Sequence, residues 1–367
     1  MAKKQEYGNE SIKSLKGAER VRKRPAVIFG SDGIEGCEHS IFEIMSNSID
    51  EAREGYGKKI IITKYLDGSV EVQDFGRGIP VDYNKNEGKF NWELLFCEMY
   101  AGGKYDNGGD NYEFSLGLNG LGLCATQYAS EYMDAEIKSG GYKYTLHFEH
   151  GENGLVKEEY KKRGDTGTRI KWKPDLKVFT DINIPVEYFE KTIKRQAIVN
   201  DGIKFVFKNQ ISSASFDTKE YCYENGIQDY VKDIAGDKAF TTPQYWECER
   251  VGKDREDLNE YKLKIKAALC FSLDTQLKEY YHNSSFLEHG GAPEKAFKSA
   301  FVSQINAYLK ANNKYNKTDS QINIQDIEEC IIFVVSSFST QTSYENEKSN
   351  YKQVYSGGND RFLPQTA

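Results

Sequence analysis

The sequence predicts an α+β protein of two domains, and three observations predict it. Its 367 residues exceed what one ordinary hydrophobic core organises. Stretches with apolar residues at helical spacing are interleaved with β-branched runs of strand character. Around Lys208–Asp217 both patterns dissolve into polar residues, which places the boundary at 217/218.

The elements follow in order. From Glu38 to Glu54, Ile41, Ile44, Met45, Ile49 and Ala52 recur at helical spacing. Ile60–Tyr65 and Ser69–Asp74 flank Asp67-Gly68, the signature of a tight hairpin. Gly102–Gly122 is rich in glycine, asparagine and aspartate and suits a long mobile loop. Strands are expected at Tyr142–His147 and Thr168–Trp172, and a helix at Pro185–Val199. Beyond the boundary, Tyr261–Ser272 alternates as a strand. A helix is expected from about Pro293, with Phe297, Ala300, Phe301, Ile305, Tyr308 and Leu309 as its stripe. Cys330–Val335 reads as a buried strand, and 346–367 as a loose, flexible tail.

Composition narrows the function. A net charge of −7 argues against a chain whose main task is to coat nucleic acid. The cluster Lys13, Lys16, Arg20, Arg22, Lys23 and Arg24 reads as a solvated arm, with phosphate contact as the other reading. Seven singly scattered cysteines lack a CxxC pair, and the five histidines lack metal-ligand spacing, so a reducing cytoplasm fits best. No run of eighteen apolar residues predicts a membrane span, and the basic N-terminus lacks the apolar core of a secretory signal.

Three constellations carry chemistry. On the Glu38–Glu54 helix, Glu43, Asn47, Asp50 and Glu51 share one arc opposite the apolar stripe. Either this is an ordinary wet face, or a carboxylate one turn from a carboxamide activates water beside a hard cation. In Val70–Pro80 (VEVQDFGRGIP), alternation puts Asp74 on the buried face with Val70 and Val72. A buried carboxylate needs a donor, and an exocyclic amine would serve. Gly76 and Gly78 let backbone approach a flat ligand closely; the bland alternative is a strand ending in a glycine turn. Third, Ala101-Gly102-Gly103-Lys104, Tyr112 and Ser115–Gly122 lead glycine-freed amides into a helical stretch near Leu123, an arrangement suited to phosphates. No GxxxxGK[ST] motif occurs.

In this order the three resemble the GHKL ATPases. Tyr7–Gly17 (YGNESIKSLKG), Arg22–Pro25 (RKRP), Phe42–Ala52 (FEIMSNSIDEA), Val72–Pro80 (VQDFGRGIP) and Ala101–Lys104 (AGGK) look like the B subunits of bacterial type IIA topoisomerases, gyrase and topoisomerase IV. Thr166-Gly167-Thr168, Gly290-Gly291 and Ser339-Thr340-Gln341-Thr342 extend the likeness to about residue 345. The resemblance implies a GHKL sandwich over 1–217, with helices on one side of a mixed sheet and an N-terminal dimerisation arm. It implies a smaller β-α-β transducer domain over 218–345.

It also implies roles. Glu43 would be the general base for ATP hydrolysis, with Gln341 reaching in from the second domain. Asn47 would ligate Mg2+. Asp74 would accept from the adenine amino group, assisted by Thr168 through a water, and Tyr112 would contact the base. Gly76, Arg77, Gly78, Ile79 and Pro80 would line the pocket, with Glu51 and Arg77 paired at its mouth. Gly102, Gly103, Lys104 and Gly117, Leu118, Asn119, Gly120, Leu121, Gly122 and Leu123 would wrap the triphosphate. Tyr7 and Ile12 would cross to a second copy, so that ATP binding forms a homodimer. In a full enzyme the implied partners are an A-type breakage subunit and duplex DNA.

The departures from the family pattern are specific. Ser46 replaces the aspartate before the magnesium asparagine, and Asn119 stands where the bacterial lid has histidine. Pro25-Ala26-Val27-Ile28 replaces Pro-Gly-Met-Tyr, Thr145 stands at the rim arginine's position, and Ser343 replaces the lysine after Gln-Thr. Lys348 is a candidate substitute for that lysine. No EGDSA-like segment is present, so the chain is expected not to cut DNA alone, as either an excised ATPase fragment or a truncated relative. Two other readings stay open. One is a module that dimerises on ATP with little hydrolysis, which Ser343 favours. The other is a mismatch-repair-type GHKL ATPase, against which Tyr7–Gly17 and the Gln341 loop argue.

Overall fold

The computed structural model describes residues 14–103, 116, 120–152, 156–160, 164–253, 256–257, 260–316, 318–340, 344–345 and 352–353. They fall into two compact units: 1–105, 117–188 and 208–218 in the first, and 106–116, 189–207 and 219–367 in the second.

The first unit opens with α1 (Ala18–Arg22) and α2 (Pro25–Phe29). Pro25 takes the first helical position, where its missing N–H costs nothing, and Gly30 ends the helix in the left-handed region. Helix α3 (Ile34–Arg53) buries Ile41, Ile44, Met45, Ile49 and Ala52, the stripe its spacing predicts. Strands β1 (Lys59–Lys64) and β2 (Val70–Asp74) form the expected antiparallel hairpin, closed by Tyr65 N–H donating to Ser69 O at 2.9 Å. There follow β3 (Tyr83–Asn84), β4 (Lys89–Phe90), α4 (Asn91–Cys97), α5 (Gly122–Tyr128), β5 (Ser130–Ser139), β6 (Tyr142–Glu149), β7 (Val156–Tyr160) and β8 (Gly167–Pro174), then α6 (Val186–Val199), which from Phe189 on belongs to the second unit, β9 (Lys204–Ser212), divided between the units after Phe207, and β10 (Ser215–Tyr221), divided after Thr218.

An eight-stranded sheet runs β10-β9-β1-β2-β8-β5-β6-β7, antiparallel at each junction from β1 to β7. Its alternation decides its faces. Ile60, Ile62, Val70, Val72, Ile137, Ile170 and Trp172 are buried, and α3 packs on β1, β2 and β8. Glu71, Gln73, Arg169 and Lys171 take the intervening, more open positions. Each large apolar side chain so buried contributes roughly 1.5–3 kcal/mol. Trp172 also donates its indole N–H to Thr126 O at 3.0 Å, and Thr126 Oγ1 donates to Ser40 O, so α5 is fastened between sheet and α3.

The polar stretch Lys208–Asp217 is not a structureless break. It is the turn region of the β9–β10 hairpin, and β10 is exposed along nearly its whole length. An edge strand with no buried face shows no alternation, which is why the sequence concealed it.

The second unit contains α7 (Ile227–Ala235), β11 (Gln244–Gly252), β12 (Tyr261–Phe271), β13 (Leu277–His282), β14 (Ser285–Phe286), α8 (Gly291–Ala311), α9 (Ile324–Glu328) and β15 (Ile331–Ser339). Helix α8 starts two residues before Pro293, after Gly290 at φ 67°. The sheet order is β11-β12-β15-β13-β14. Strands β13 and β15 are parallel, which requires the crossover that α8 and α9 supply. Alternate residues part cleanly. Ala268, Cys270, Tyr281, Ile332 and Val334 pack with Ile227, Tyr230 and Val231 of α7. Ala267, Leu269, Tyr280, Phe333 and Val335 pack with Phe297 of α8 and Ile327 of α9. Every residue of β15 is buried, as befits a central strand covered on both faces.

At the end of β13, His282 is wholly buried, its Nδ1 2.9 Å from Ser337 Oγ. That hydroxyl donates to Tyr281 O, so the ring nitrogen is the donor to it. Burial pushes the imidazole pKa down to about 4. Within the stretch expected to be a loose tail, β17 (Lys352–Gln353) pairs with β16 (Tyr344–Glu345).

Candidate nucleotide site

The acidic face of α3 divides into two halves. Glu43 is half-buried, and its Oε1 lies 3.1 Å from His39 Nε2, one turn earlier. The other ring nitrogen, Nδ1, lies 3.3 Å from the carbonyl oxygen of Phe29. A neutral imidazole carries one N–H, yet both neighbours are acceptors. Asn47 donates its amide to Glu43 O at 3.1 Å. Ser46, where an acid is expected, is buried and donates to the same carbonyl at 2.9 Å.

Asp50, on the same arc, is 2% exposed and lies 3.9 Å from Arg53.

Asp74 is buried at the end of β2, as alternation predicts. Its Oδ1 accepts from the backbone N–H groups of Gly76 and Thr168, both at 3.1 Å, and its Oδ2 accepts from Ser48 Oγ at 2.8 Å. Burial raises the carboxyl pKa, and these three donors oppose the rise. A carboxylate has about four acceptor positions, so three donors leave Oδ2 able to take one more. Thr168 Oγ1 in turn accepts from Ile79 N–H at 3.3 Å, tying the glycine turn to β8.

Two glycines stand close against the acidic side chains. A Cβ on Gly76 would come within 2.3 Å of Glu51 Cγ, and one on Gly122 within 1.8 Å of Glu43 Oε2. Gly122 opens α5, so the start of that helix abuts the candidate base. Glu51 and Arg77 pair as expected: Nε to Oε1 at 2.8 Å, NH2 to Oε2 at 2.9 Å, and the Arg77 backbone N–H to Oε1 at 2.8 Å. Upstream of α5, Tyr100 N–H donates to Gly120 O at 2.9 Å.

The structure thus brings Glu43, Asn47 and Gly122 together, and separately Glu51, Asp74, Gly76, Arg77, Ile79 and Thr168. Gly78, Pro80, Gly102, Gly103, Gly120, Leu121 and Leu123 can offer a ligand only backbone groups and apolar surface. Tyr7, Ile12, Lys104, Tyr112, Gly117, Leu118, Asn119, Gln341, Ser343 and Lys348 lie outside the described residues. His39 and Ser48 were not singled out from sequence. His39 stands four residues before Glu43, on the same helix face, and that spacing was the available signal. Among the described residues no three His, Cys, Asp or Glu side chains gather to hold a metal. Mg2+ keeps several waters and is bound through few protein ligands plus substrate phosphates, so a single carboxamide oxygen at Asn47 fits it.

The family model for DNA gyrase B matches residues 226–347. The DNA gyrase B subunit of Thermotoga maritima is 31% identical over 344 residues, 94% of this chain and 53% of that protein. The DNA topoisomerase 4 B subunit of Staphylococcus aureus is 32% identical over 345 residues, 92% of this chain and 49% of that protein. The chain is a homologue of these B subunits. It spans about half the length of the curated relatives it matches. Two solved structures share the fold. The 43K ATPase domain of Thermus thermophilus gyrase B, in complex with an aminocoumarin, superposes with a TM-score of 0.69 at 26% identity, over 90% of this chain and 83% of that one. The topoisomerase IV ATP-binding domain of Francisella tularensis gives 0.68 at 25% identity, over 93% and 86%. The expected fold, a helix-covered sheet followed by a smaller β-α-β unit, is therefore that of the ATPase region of these B subunits.

Proposed function

We propose that this chain binds ATP with Mg2+ and hydrolyses it, as the ATPase region of the B subunit in a type IIA topoisomerase. The observation that carries the reading is Glu43, contacted by His39 one turn earlier on α3 and abutted by Gly122 at the start of α5. Glu43 accepts a proton from the attacking water, and His39 orients the carboxylate. Asp74 takes the adenine amino group on Oδ2. Asn47 holds Mg2+, which neutralises phosphate charge when bound. Phosphoryl transfer to water needs positioning and charge stabilisation more than covalent help, and Gly120–Leu123 with the lid residues supply the phosphate contacts. Gln341 reaches the γ-phosphate.

On this reading, 1–217 form the nucleotide domain, 218–345 the transducer, and 346–367 a tail; the gyrase B match over 226–347 supports the second of these. Residues 1–16 form the arm that crosses to a second copy, making the homodimer ATP-dependent. The whole enzyme acts on duplex DNA with an A-type breakage subunit in the cytoplasm; among the described residues no helix is long and apolar enough to cross a membrane. Phosphate release measured with and without Glu43→Ala tests the hydrolytic reading. One sequence fact favours a second reading, a dimerising module with slow hydrolysis: Ser343 stands where the family has a lysine.

A further inference from the structure

Arg77 is held from a side that the nucleotide reading does not use. The turn after α3 runs Gly55-Tyr56-Gly57, with both glycines in the left-handed region at φ 90° and 74°. Tyr56 N–H donates to Glu51 O at 3.2 Å, and Gly55 N–H to Ala52 O at 3.1 Å, so the turn is fixed to the end of the helix. A Cβ on Gly57 would fall 2.5 Å from the Phe75 carbonyl carbon and 2.8 Å from Gly76 N. The turn is therefore seated against the segment that carries Arg77. From there the Tyr56 ring lies beneath the guanidinium, 3.8 Å from its carbon to the ring centroid. The Glu51 fork fixes the guanidinium along its edge while the ring fixes its face. Arg77 is 42% exposed on its side chain, a situation in which an arginine ordinarily samples many rotamers.

We propose that Tyr56 is a positioning residue for the purine site. By immobilising Arg77 it holds the Gly76–Ile79 backbone, and that backbone supplies one of the donors shaping the Asp74 acceptor. Tyr56 thereby sets affinity for a base with an exocyclic amine without touching the reacting atoms. The inference rests on the reading of Asp74 as the adenine acceptor.

The test is steady-state ATP hydrolysis and urea unfolding of Tyr56→Leu, Tyr56→Phe, Arg77→Ala and Tyr56→Leu/Arg77→Ala. An exposed cation–π contact implies a loss of about twofold to fivefold. Tyr56→Leu should raise KM for ATP by that factor with kcat unchanged, and Tyr56→Phe should match wild type. In the Arg77→Ala background, Tyr56→Leu should add no further loss. The unfolding cycle without nucleotide should show the two residues coupled. The proposal is overturned if Phe is as damaging as Leu, if the Leu effect persists without Arg77, or if kcat falls while KM holds. Coupling in the unfolding cycle of a wild-type protein that binds no adenine nucleotide would overturn the purine reading and, with it, this role for Tyr56.

Discussion

Gly122 stands directly against the carboxylate of Glu43, so closely that a methyl group on it would overlap Oε2. The first residue of α5 and the candidate base on α3 share one van der Waals boundary. Gly122→Ala is expected to displace the carboxylate and reduce turnover without abolishing nucleotide binding. Glu43→Gln is expected to lower turnover by about 10²–10⁴-fold while ATP affinity stays within about tenfold. Phosphate-release kinetics beside equilibrium ATP titration check both, and undiminished hydrolysis by Glu43→Gln would remove the base assignment.

Asp74 should discriminate between bases. Asp74→Asn is expected to weaken ATP more than GTP, because guanine offers no amino group at the corresponding position. Since burial raises the Asp74 pKa, ATP affinity should fall on acidification at a higher pH than an ordinary aspartate would give. Asp74→Asn should flatten that limb. Titrations of both nucleotides from neutral to acidic pH measure it, and equal losses for ATP and GTP would make Asp74 structural.

His282 gives the second unit an acid-sensitive core. Its pKa is lowered from 6.5 to about 4 by burial. Between those values the unfolded chain binds a proton that the folded chain refuses. Stability is thus fully present above about pH 6.5 and declines as pH falls toward 4. Between pH 7 and pH 5 the loss is about 2 kcal/mol from this group. Urea midpoints at the two pH values, compared with His282→Asn, check it; an acid limb unchanged in the variant would assign the effect elsewhere.

Thr145 should weaken aminocoumarin binding if the drug leans on a cation at that position. The residue is exposed on β6, opposite Glu136 of β5. Glu136 already gathers Lys143 at 2.6 Å, Arg169 at 3.2 Å and Lys138 at 3.7 Å. An arginine introduced at Thr145 meets a carboxylate already neutralised, so it should stay available to a ligand. Thr145→Arg is expected to improve binding by roughly 1.5–3 kcal/mol, read by calorimetry. Tight binding to the wild-type chain would show that another group supplies the contact.

Ser343 brings a hydroxyl where a charge is expected, and loss of a charge that stabilises the transition state costs a few kcal/mol. Slow wild-type hydrolysis, accelerated by Ser343→Lys and unaffected by Lys348→Ala, is the expected outcome. Collapse of turnover in Lys348→Ala with ATP affinity intact would transfer the role to Lys348.

Much of the site was legible because its chemistry is local. Strand period alone put Asp74 inward, and it is inward. The Asp67-Gly68 hairpin and the apolar stripe of α3 depend on neighbours in sequence, and both formed. Helical phase does not show which members of the acidic arc are covered: Asp50 is buried, with Arg53 beside it in the last turn. Ser48, one residue from Asn47, points to Asp74 because β2 crosses beneath α3, a relation between residues 26 apart. Strand β10 went unread because a strand wetted on both faces has no period to read.

Arg22 is where the N-terminal segment is staked down. Its guanidinium donates to Tyr128 O at 3.1 Å and Ser130 O at 3.2 Å, and it pairs with Asp175, which His150 also contacts at 3.0 Å. Tyr7 stands 11 residues ahead of Ala18, and a chain covers at most about 3.3–3.6 Å per residue, so Tyr7 can act only within about 40 Å of the start of α1. A second copy can be reached only if its pocket lies inside that radius, which turns one salt bridge into a ruler for the geometry of any nucleotide-bound pair.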